Sequence, residues 1–379
     1  MESLKKIFII CGEPSGDLLA ANLASAIKDL NPQIKILAVG GAHLAKTGAE
    51  IIYQINALSV MGFFDVLKKL PKFFALKKLI LDKINLENPD AIILVDFSGF
   101  NLRLAKAINQ RIPTIYYVSP QVWASRESRI NSIKKFISKM IVLFKFEEAF
   151  YQQRNIPVTY VGHPLIDIVK PTLTKQNFIE NYQINPNKKI IALLPGSRKQ
   201  EIRIMLPIML GAAQLINQKI PATQFIIAKA ANLDQQIYLD ECKKFNLDFK
   251  IIDGLTYDCL NNANASIVCS GTATLEAAIT GNPFVITYKT NIFNYLLYRP
   301  QIKIPYIGMV NIVAGKEIVP EFIQFKAQPK LIAASILNFL QDTNSTNALN
   351  QELLKVKSDL GQSGAAGRAA KAILDFLQK

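Results

Sequence analysis

The segment Ile190-Ile191-Ala192-Leu193-Leu194-Pro195-Gly196-Ser197-Arg198 joins a continuous apolar run to a tight turn, and a helical pattern begins near Glu201. Apolar residues in unbroken succession mark a strand buried on both faces, as in a parallel sheet covered by helices. Gly and Ser placed where such a strand turns into a helix leave free backbone N–H groups and the positive end of the helix dipole pointing at one crevice. Such a place suits a phosphate or diphosphate. The pattern recurs downstream, where Ser266 to Cys269 runs into Ser270-Gly271-Thr272-Ala273-Thr274-Leu275-Glu276 and the following helix closes at Gly281-Asn282-Pro283.

Working outward, further strands are expected at Gln224 to Ala228, Phe249 to Ile252 and Phe284 to Thr287. Toward the N-terminus they fall at Ile7 to Cys11, Ile34 to Val39, Ala91 to Asp96, Thr114 to Val118, Met140 to Phe144 and Val158 to Gly162. Helical patterns separate them, which is the alternation of a doubly wound sheet. The alternation breaks between Lys170 and Lys189, around Pro171 and Asn185-Pro186, and we read that stretch as the approach to an interdomain boundary. The fold class expected is α/β, two doubly wound Rossmann-like domains whose ligand crevices face a shared cleft. Residues 1–170 form the first domain, 171–345 the second, and 346–379 a helical tail that packs back on the first, with a Ser/Thr/Asn break at Asp342 to Asn347.

Composition agrees with this size and class. The chain has 379 residues, of which 50% are hydrophobic and 19% charged, enough to bury two cores and too apolar for disorder. Lys and Arg number 44 against 29 Asp and Glu, a net charge of +15 that calls for anionic partners. Cys11, Cys242, Cys259 and Cys269 show no metal-ligand spacing and read as buried, reduced thiols of a cytoplasmic protein. No secretion signal opens the sequence, and no apolar run approaches the roughly 20 residues that span a bilayer. With only His43 and His163, far apart, and no acidic cluster at ligand spacing, a protein-bound catalytic metal is not expected. Nor is a nucleic-acid partner, since no RNP, helix-turn-helix or finger pattern is present.

Several side chains carry candidate chemistry. Arg198 offers a bidentate positive charge to a leaving diphosphate, and Glu276, one turn into its helix, offers an acceptor for ribose hydroxyls. The alternative is ordinary turn chemistry, because Ser/Thr caps and Gly turns occur in every α/β protein. Gly12 to Asp17, a Gly/Pro loop after the first strand, carries Glu13, Ser15 and Gly16 but lacks both GxGxxG and a Walker GK[ST], so neither NAD nor ATP is indicated. Asp96 ends a buried strand, where a carboxylate serves either as a general base on an acceptor hydroxyl or as a structural cap. His163, before Pro164 at a strand end, belongs either to the crevice or to a packed hinge. From Met61 to Lys83, aromatic and aliphatic residues are interleaved with lysines, and Pro71 is expected to divide two short helices. That segment reads as a dock for an anionic lipid interface or as a core helix with a solvated lysine face.

In sequence order, Gly12-Glu13-Pro14-Ser15-Gly16-Asp17, Val60-Met61-Gly62, Asp96 with Gly99-Phe100-Asn101, Tyr117-Val118-Ser119-Pro120-Gln121-Val122-Trp123-Ala124, Phe146-Glu147 with Phe150-Tyr151, Val161-Gly162-His163-Pro164, Leu194 to Arg198, Ser270 to Glu276, and Asn311 with Ala314-Gly315 and Glu317 resemble the lipid-A-disaccharide synthase family. The resemblance extends from the first strand to about residue 320. Ser125 stands where the family is expected to carry a second Trp, and Lys145 where it carries Pro. What the resemblance implies is an inverting, metal-independent GT-B glycosyltransferase without a cofactor. It would move 2,3-diacylglucosamine from its UDP derivative onto 2,3-diacylglucosamine 1-phosphate, forming a β-1,6-linked disaccharide 1-phosphate and UDP. Asp96 and Arg198 would be catalytic. Glu13, Ser15, Gly16, Asn101, Gly196, Ser197, Ser270, Gly271, Thr272, Thr274, Glu276, Asn311 and Glu317 would bind substrate. The implied partners are the UDP-sugar lipid donor, the phosphoglycolipid acceptor and an anionic membrane surface on the cytoplasmic face of the inner membrane, with a homodimer left open. The alternatives are another GT-B enzyme of UDP-N-acetylglucosamine, such as a non-hydrolysing 2-epimerase, or a non-catalytic anionic-lipid-binding protein.

Overall fold

A computed structural model of the chain describes residues 6–55 and 63–378, apart from the side chains of residues 14, 63–70 and 298. The motif Val60-Met61-Gly62 and the side chains at the start of the basic aromatic segment lie outside the described residues. The chain forms two compact units. The first contains the described residues up to Pro164 together with Pro300–Lys303 and Leu360–Lys379; the second contains Leu165–Arg299 and Ile304–Asp359.

In the first unit, β1 (Lys6–Ile10), β2 (Lys35–Gly40), β3 (Glu50–Gln54), β4 (Ala91–Val95), β5 (Thr114–Tyr117), β6 (Lys139–Val142) and β7 (Val158–Tyr160) pair in the order β3-β2-β1-β4-β5-β6-β7. Every pairing is parallel. The central strands are apolar throughout because both faces are covered: Ile7 to Ile10 and Ala91 to Val95 are fully buried. The helix Ala365–Leu377 packs on the helix Pro14–Leu30, and both bring alanines to their buried sides, Ala365, Ala369 and Ala370 on one and Ala20, Ala21 and Ala24 on the other. In the second unit, β8 (Lys189–Leu194), β9 (Thr223–Lys229), β10 (Phe249–Asp253), β11 (Ala265–Cys269), β12 (Phe284–Tyr288) and β13 (Glu321–Ile323) follow the order β10-β9-β8-β11-β12-β13, again all parallel. Both sheets therefore reverse the direction of their crossovers once, at β1/β4 and at β8/β11. Ligand crevices in such sheets open beyond the carboxyl ends of those strands.

The structure corrects several expectations. β4 and β5 stop at Val95 and Tyr117 rather than at Asp96 and Val118, because Asp96 and Val118 adopt left-handed backbone conformations (φ 48° and 65°) that no strand can contain. The short strands β3 and β13 escape the apolar pattern, being half-buried or exposed along their length. Lys170 to Lys189, where little apolar periodicity shows in the sequence, holds the helix Lys175–Tyr182 with Phe178 buried, and Thr172 and Leu173 donate backbone N–H groups to Asp258. Pro71 lies inside one helix, Phe63–Glu87, instead of dividing two. Proline forfeits one backbone bond there, but Leu76, Ile80 and Ile84, spaced by four, give the helix a fully buried stripe. The Ser/Thr/Asn break shrinks to Asp342, whose carboxylate accepts from the N–H groups of Asn344 and Ser345 and starts the helix Thr343–Asp359.

Under β6 a buried polar network joins Glu147, Trp123, Ser119 and Tyr151. Glu147 accepts from Trp123 Nε1 at 3.0 Å and from the Phe144 N–H at 3.3 Å, and Ser119 Oγ lies 2.8 Å from the Tyr151 hydroxyl. Lys145, at the first position of the helix Lys145–Gln152, takes a place where proline and other residues serve equally, since its N–H has no intrahelical acceptor. Burial pushes the Glu147 carboxyl up to about 7 despite these donors, while burial pushes His163, packed against Phe144 at 5.1 Å, down to about 4. Between about pH 4.5 and 7 the folded protein therefore keeps a proton on Glu147 that the unfolded chain has lost, so this group lowers stability as pH rises; His163 acts with the opposite sign from about pH 4 to 6.5. Thermal melts from pH 5 to 8 are expected to show Glu147→Gln gaining on wild type as pH rises, by on the order of 2 kcal/mol across the window. A pH-independent difference between the two proteins would remove the assigned proton.

Candidate functional site

Loops at the two switch points hold most of the residues singled out from sequence. In the second unit, β8 ends at Leu194 and the helix Lys199–Lys219 begins after Arg198. One carboxylate shapes the intervening turn. Glu201 accepts from the Ser197 N–H at 3.0 Å, the Arg198 N–H at 3.2 Å and Arg198 Nη1 at 3.0 Å. The negative charge sits on the first turn, where the dipole favours it. Gly196 has φ 114°, and a Cβ there would come within 2.6 Å of a Glu201 carboxylate oxygen, so only glycine fits. Beside this turn, β11 leads into Ser270-Gly271-Thr272 and the helix Ala273–Thr280, capped at Gly281 with φ 71°. Burial above all, then the Glu201 charge, raises the Cys269 thiol pKa at the end of β11, with Arg198 acting against them. Gly271 and Thr272 are exposed, and Gly271 (φ 146°) faces open space. Thr274 is fully buried and its hydroxyl donates to the Gly271 carbonyl at 2.8 Å, so it braces the loop from behind. Glu276, half-buried, hydrogen-bonds Tyr257, and burial pushes its carboxyl up to about 7.

In the first unit, the turn after β1 packs on the turn after β4. A Cβ on Gly12 would strike the Phe97 ring at 2.2 Å, and Gly16 sits 3.8 Å from the Asp96 Cβ, measured from its own ideal Cβ position. Glu13 is half-buried and Ser15 exposed beside them, while Asp17 turns inward to accept from the N–H groups of Gly41, His43 and Leu44. Asp96 and Phe97 are both left-handed (φ 48° and 47°). Two consecutive residues in that region cost of order 1–3 kcal/mol each unless the surroundings impose it. Here Asn101 Nδ2 donates to the Val95 and Asp96 carbonyls at 3.3 and 2.9 Å, and the Tyr116 hydroxyl also donates to the Asp96 carbonyl. The Asp96 carboxylate is thereby presented, half-buried, just beyond the sheet.

Three expected substrate contacts stand elsewhere. Asn101 is wholly buried with its Oδ1 unpartnered and its amide N–H groups spent on the turn beneath Asp96. Asn311 is also wholly buried: its Oδ1 accepts from the N–H groups of Ile318 and Val319, and its Nδ2 donates to Val319 O and Glu321 Oε1. All four of its hydrogen-bonding positions are thus taken within the chain. Glu317 is exposed and lines a surface groove of about 600 Å³ with Lys316, Asn338, Phe339 and Glu352, a groove that none of the Gly196–Arg198 or Ser270–Glu276 residues lines. Glu201 was missed from sequence, although its place three residues after the helix cap is the signature of a capping carboxylate.

Compared with known proteins, residues 7–373 match the profile of a family described as lipid-A-disaccharide synthetase. The lipid-A-disaccharide synthase of Syntrophus aciditrophicus is 38% identical over 377 residues, 99% of this chain and 98% of the relative. Among solved structures, the UDP-GlcNAc 2-epimerase of Neisseria meningitidis bound to UDP-GlcNAc superposes with a TM-score of 0.63 at 14% identity, covering 98% of this chain and 99% of that one. The calicheamicin glycosyltransferase does so with 0.63 at 14%, covering 100% and 99%. At that identity these two likenesses speak for the GT-B fold alone.

For the loop geometry, Gly196→Ala is expected to lower stability by about 1–3 kcal/mol, since it forces a side chain into a glycine-only conformation and against Glu201. It should also weaken UDP binding, read by calorimetry on the same preparation. An alanine variant with wild-type melting and wild-type UDP affinity would show that the turn does not depend on this glycine.

Proposed function

The chain belongs to the lipid-A-disaccharide synthase family of GT-B glycosyltransferases, and from that premise we propose how its own residues carry the transfer. The donor is UDP-2,3-diacylglucosamine and the acceptor 2,3-diacylglucosamine 1-phosphate; the products are the β-1,6-linked disaccharide 1-phosphate and UDP. The observation that carries this reading is the match to a named synthase along 99% of the chain. The epimerase alternative shares the fold at 14% identity and has no further support.

The acceptor 6-hydroxyl oxygen attacks the anomeric carbon of the donor sugar as the bond from that carbon to the diphosphate oxygen breaks. The Asp96 carboxylate takes the hydroxyl proton. Its position on a strained turn, gripped by Asn101 and Tyr116, supports this role, because a fixed base loses no freedom on reaching the reactive geometry. Charge gathers on the departing diphosphate. The Arg198 guanidinium and the N–H groups of Gly271 and Thr272 at the start of their helix meet it with positive charge already oriented, and Glu276 receives the ribose hydroxyls. Glu201 positions Arg198; Asn101, Thr274 and Asn311 position the loops they brace. Glu13, Ser15 and Gly16 line the acceptor side next to Asp96.

No helix among the described residues is long and apolar enough to cross a membrane. Peripheral docking at an anionic, cytoplasmic membrane face is supported by the helix Phe63–Glu87. Its buried stripe leaves Phe74, Leu79 and Leu86 exposed beside Lys72 and Lys78, apolar and basic groups on the outer side. A small open pocket of about 280 Å³ lined by Tyr53, Lys72, Ala75, Leu76 and Leu79 adjoins it and suits part of an acyl chain.

UDP release from the acylated donor and phosphorylated acceptor, with EDTA present, is expected from the purified chain and not from plain UDP-N-acetylglucosamine. Asp96→Ala should abolish turnover while UDP still binds, and Arg198→Ala should cost ~2 kcal/mol or more of transition-state stabilisation, about thirtyfold in kcat/KM. Wild-type turnover by Asp96→Ala would remove it as the base; release from plain UDP-N-acetylglucosamine alone would point to another GT-B activity.

A further inference from the structure

In the first unit, Arg129 lies half-buried beside the Asp96 turn, and the exposed Arg126 and Arg103 add their charge to it. Arg129, half-buried at the end of the turn Glu127–Arg129, donates from Nη1 to Ser98 Oγ at 3.0 Å, two residues along the chain from Asp96. Burial first, then the charge of Arg126 and, more weakly, of Arg103 lower the Arg129 pKa, while Tyr116 opposes them; none of these acting groups is a carboxylate. The acid within the same turn, Glu127, is committed to Arg154 at 3.2 Å and Lys303 at 3.0 Å. Arg126 donates from Nε to the neutral Gln301 Oε1 at 3.2 Å and holds its guanidinium from a left-handed backbone position, φ 55°.

Bringing like charges together while withdrawing one of them from water is unfavourable for the protein alone. Placement of this kind, a half-buried guanidinium held on a neutral hydroxyl, becomes favourable when an anion with several oxygens binds, and the planar fork of a guanidinium matches a phosphate. The diphosphate of the donor already has its own loops in the second unit. Ser98 lies two residues from Asp96, at most about 7 Å of extended chain, and a pyranose ring spans a comparable distance between its 6-hydroxyl and the phosphorus on its 1-oxygen.

We propose that Arg129, with Arg126 and Arg103 around it and Ser98 as a further donor, is the subsite for the phosphate monoester of the acceptor sugar, and that it sets the 6-hydroxyl against Asp96. This rests on the transferase reading above. Full-length wild type, Arg129→Ala, Arg129→Lys and Arg126→Ala are compared by steady-state kinetics with each substrate varied in turn. Separately, each is titrated with glucosamine 1-phosphate and with glucosamine while the fluorescence of Trp123 is followed. That residue is the chain's single tryptophan and lies three positions before Arg126.

Arg129→Ala is expected to raise the acceptor KM about tenfold or more while the donor KM stays within about twofold, and Arg129→Lys to recover part of the loss. Wild-type fluorescence should respond to glucosamine 1-phosphate and not to glucosamine, and the response should vanish in Arg129→Ala. An unchanged acceptor KM, or a donor KM that rises in step with it, would overturn the assignment. Equally fatal would be an unchanged acceptor KM with weakened binding to phosphatidylglycerol vesicles, which would make the cluster a headgroup site. If wild type fails to turn over the acylated pair yet loses its glucosamine 1-phosphate response in Arg129→Ala, the phosphate subsite stands and the transferase reading falls. Turnover with a response indifferent to Arg129 means the reverse.

Discussion

Parallel strands cannot be joined by tight hairpins, so each sheet is threaded by helical crossovers, and the first strand of each unit is where the crossovers change side. The loops leaving β1 and β4, and those leaving β8 and β11, are consequently the ones that part from each other and leave room beyond the sheet. The candidate site depends on that topological fact. The Asp96 carboxylate, the turn of Gly196 to Arg198 and the turn of Ser270 to Thr272 are reactive in prospect because the chain has no neighbouring crossover to cover them. The fully buried strands behind them, Ile7–Ile10, Ala91–Val95 and Ile191–Leu193, form the rigid base against which those loops are held.

The two units solve the same turn in different ways. In the second, left-handed or glycine-only conformations fall on glycines, Gly196 and Gly271, where they carry little steric cost, and the carboxylate of Glu201 accepts from the Ser197 and Arg198 N–H groups of the turn. In the first, Asp96, Phe97, Val118 and Arg126 take left-handed conformations with full side chains. Glycine would relieve the strain at each position and would also remove the side chain. Asn101, Tyr116 and the Gly12–Phe97 contact supply the compensation.

How far sequence alone reaches follows from this contrast. Continuous apolar runs identify β1, β4, β8 and β11, and Gly with Ser or Thr at their ends marks the second unit's loops, because those signals are local. The half-buried edge strands β3 and β13 lack the run. Asn101, Thr274 and Asn311 look like ligand contacts in sequence, being polar residues within motifs, but their amides and hydroxyl are directed back at carbonyls that only the fold brings near. Arg126 and Arg129 gave no signal at all; their meaning lies in Ser98 and Arg103, some 30 positions upstream, and in the engagement of Glu127 by Lys303, far downstream.

A net charge of +15 spread evenly would favour anions weakly and everywhere. On the assignments proposed above, the positive groups that act differ in kind between the two units. In the second unit they would be mostly backbone, N–H groups at a helix start with one guanidinium steered by Glu201, an arrangement suited to a diphosphate whatever sugar it carries. In the first unit they would be side-chain charge, Arg129 on the Ser98 hydroxyl with Arg126 and Arg103 acting on it, an arrangement suited to a compact, doubly charged oxyanion. A transfer between two phosphorylated sugars requires that they not exchange places, and two anion sites of different chemistry, as proposed, would separate them without relying on the sugars, which are nearly identical.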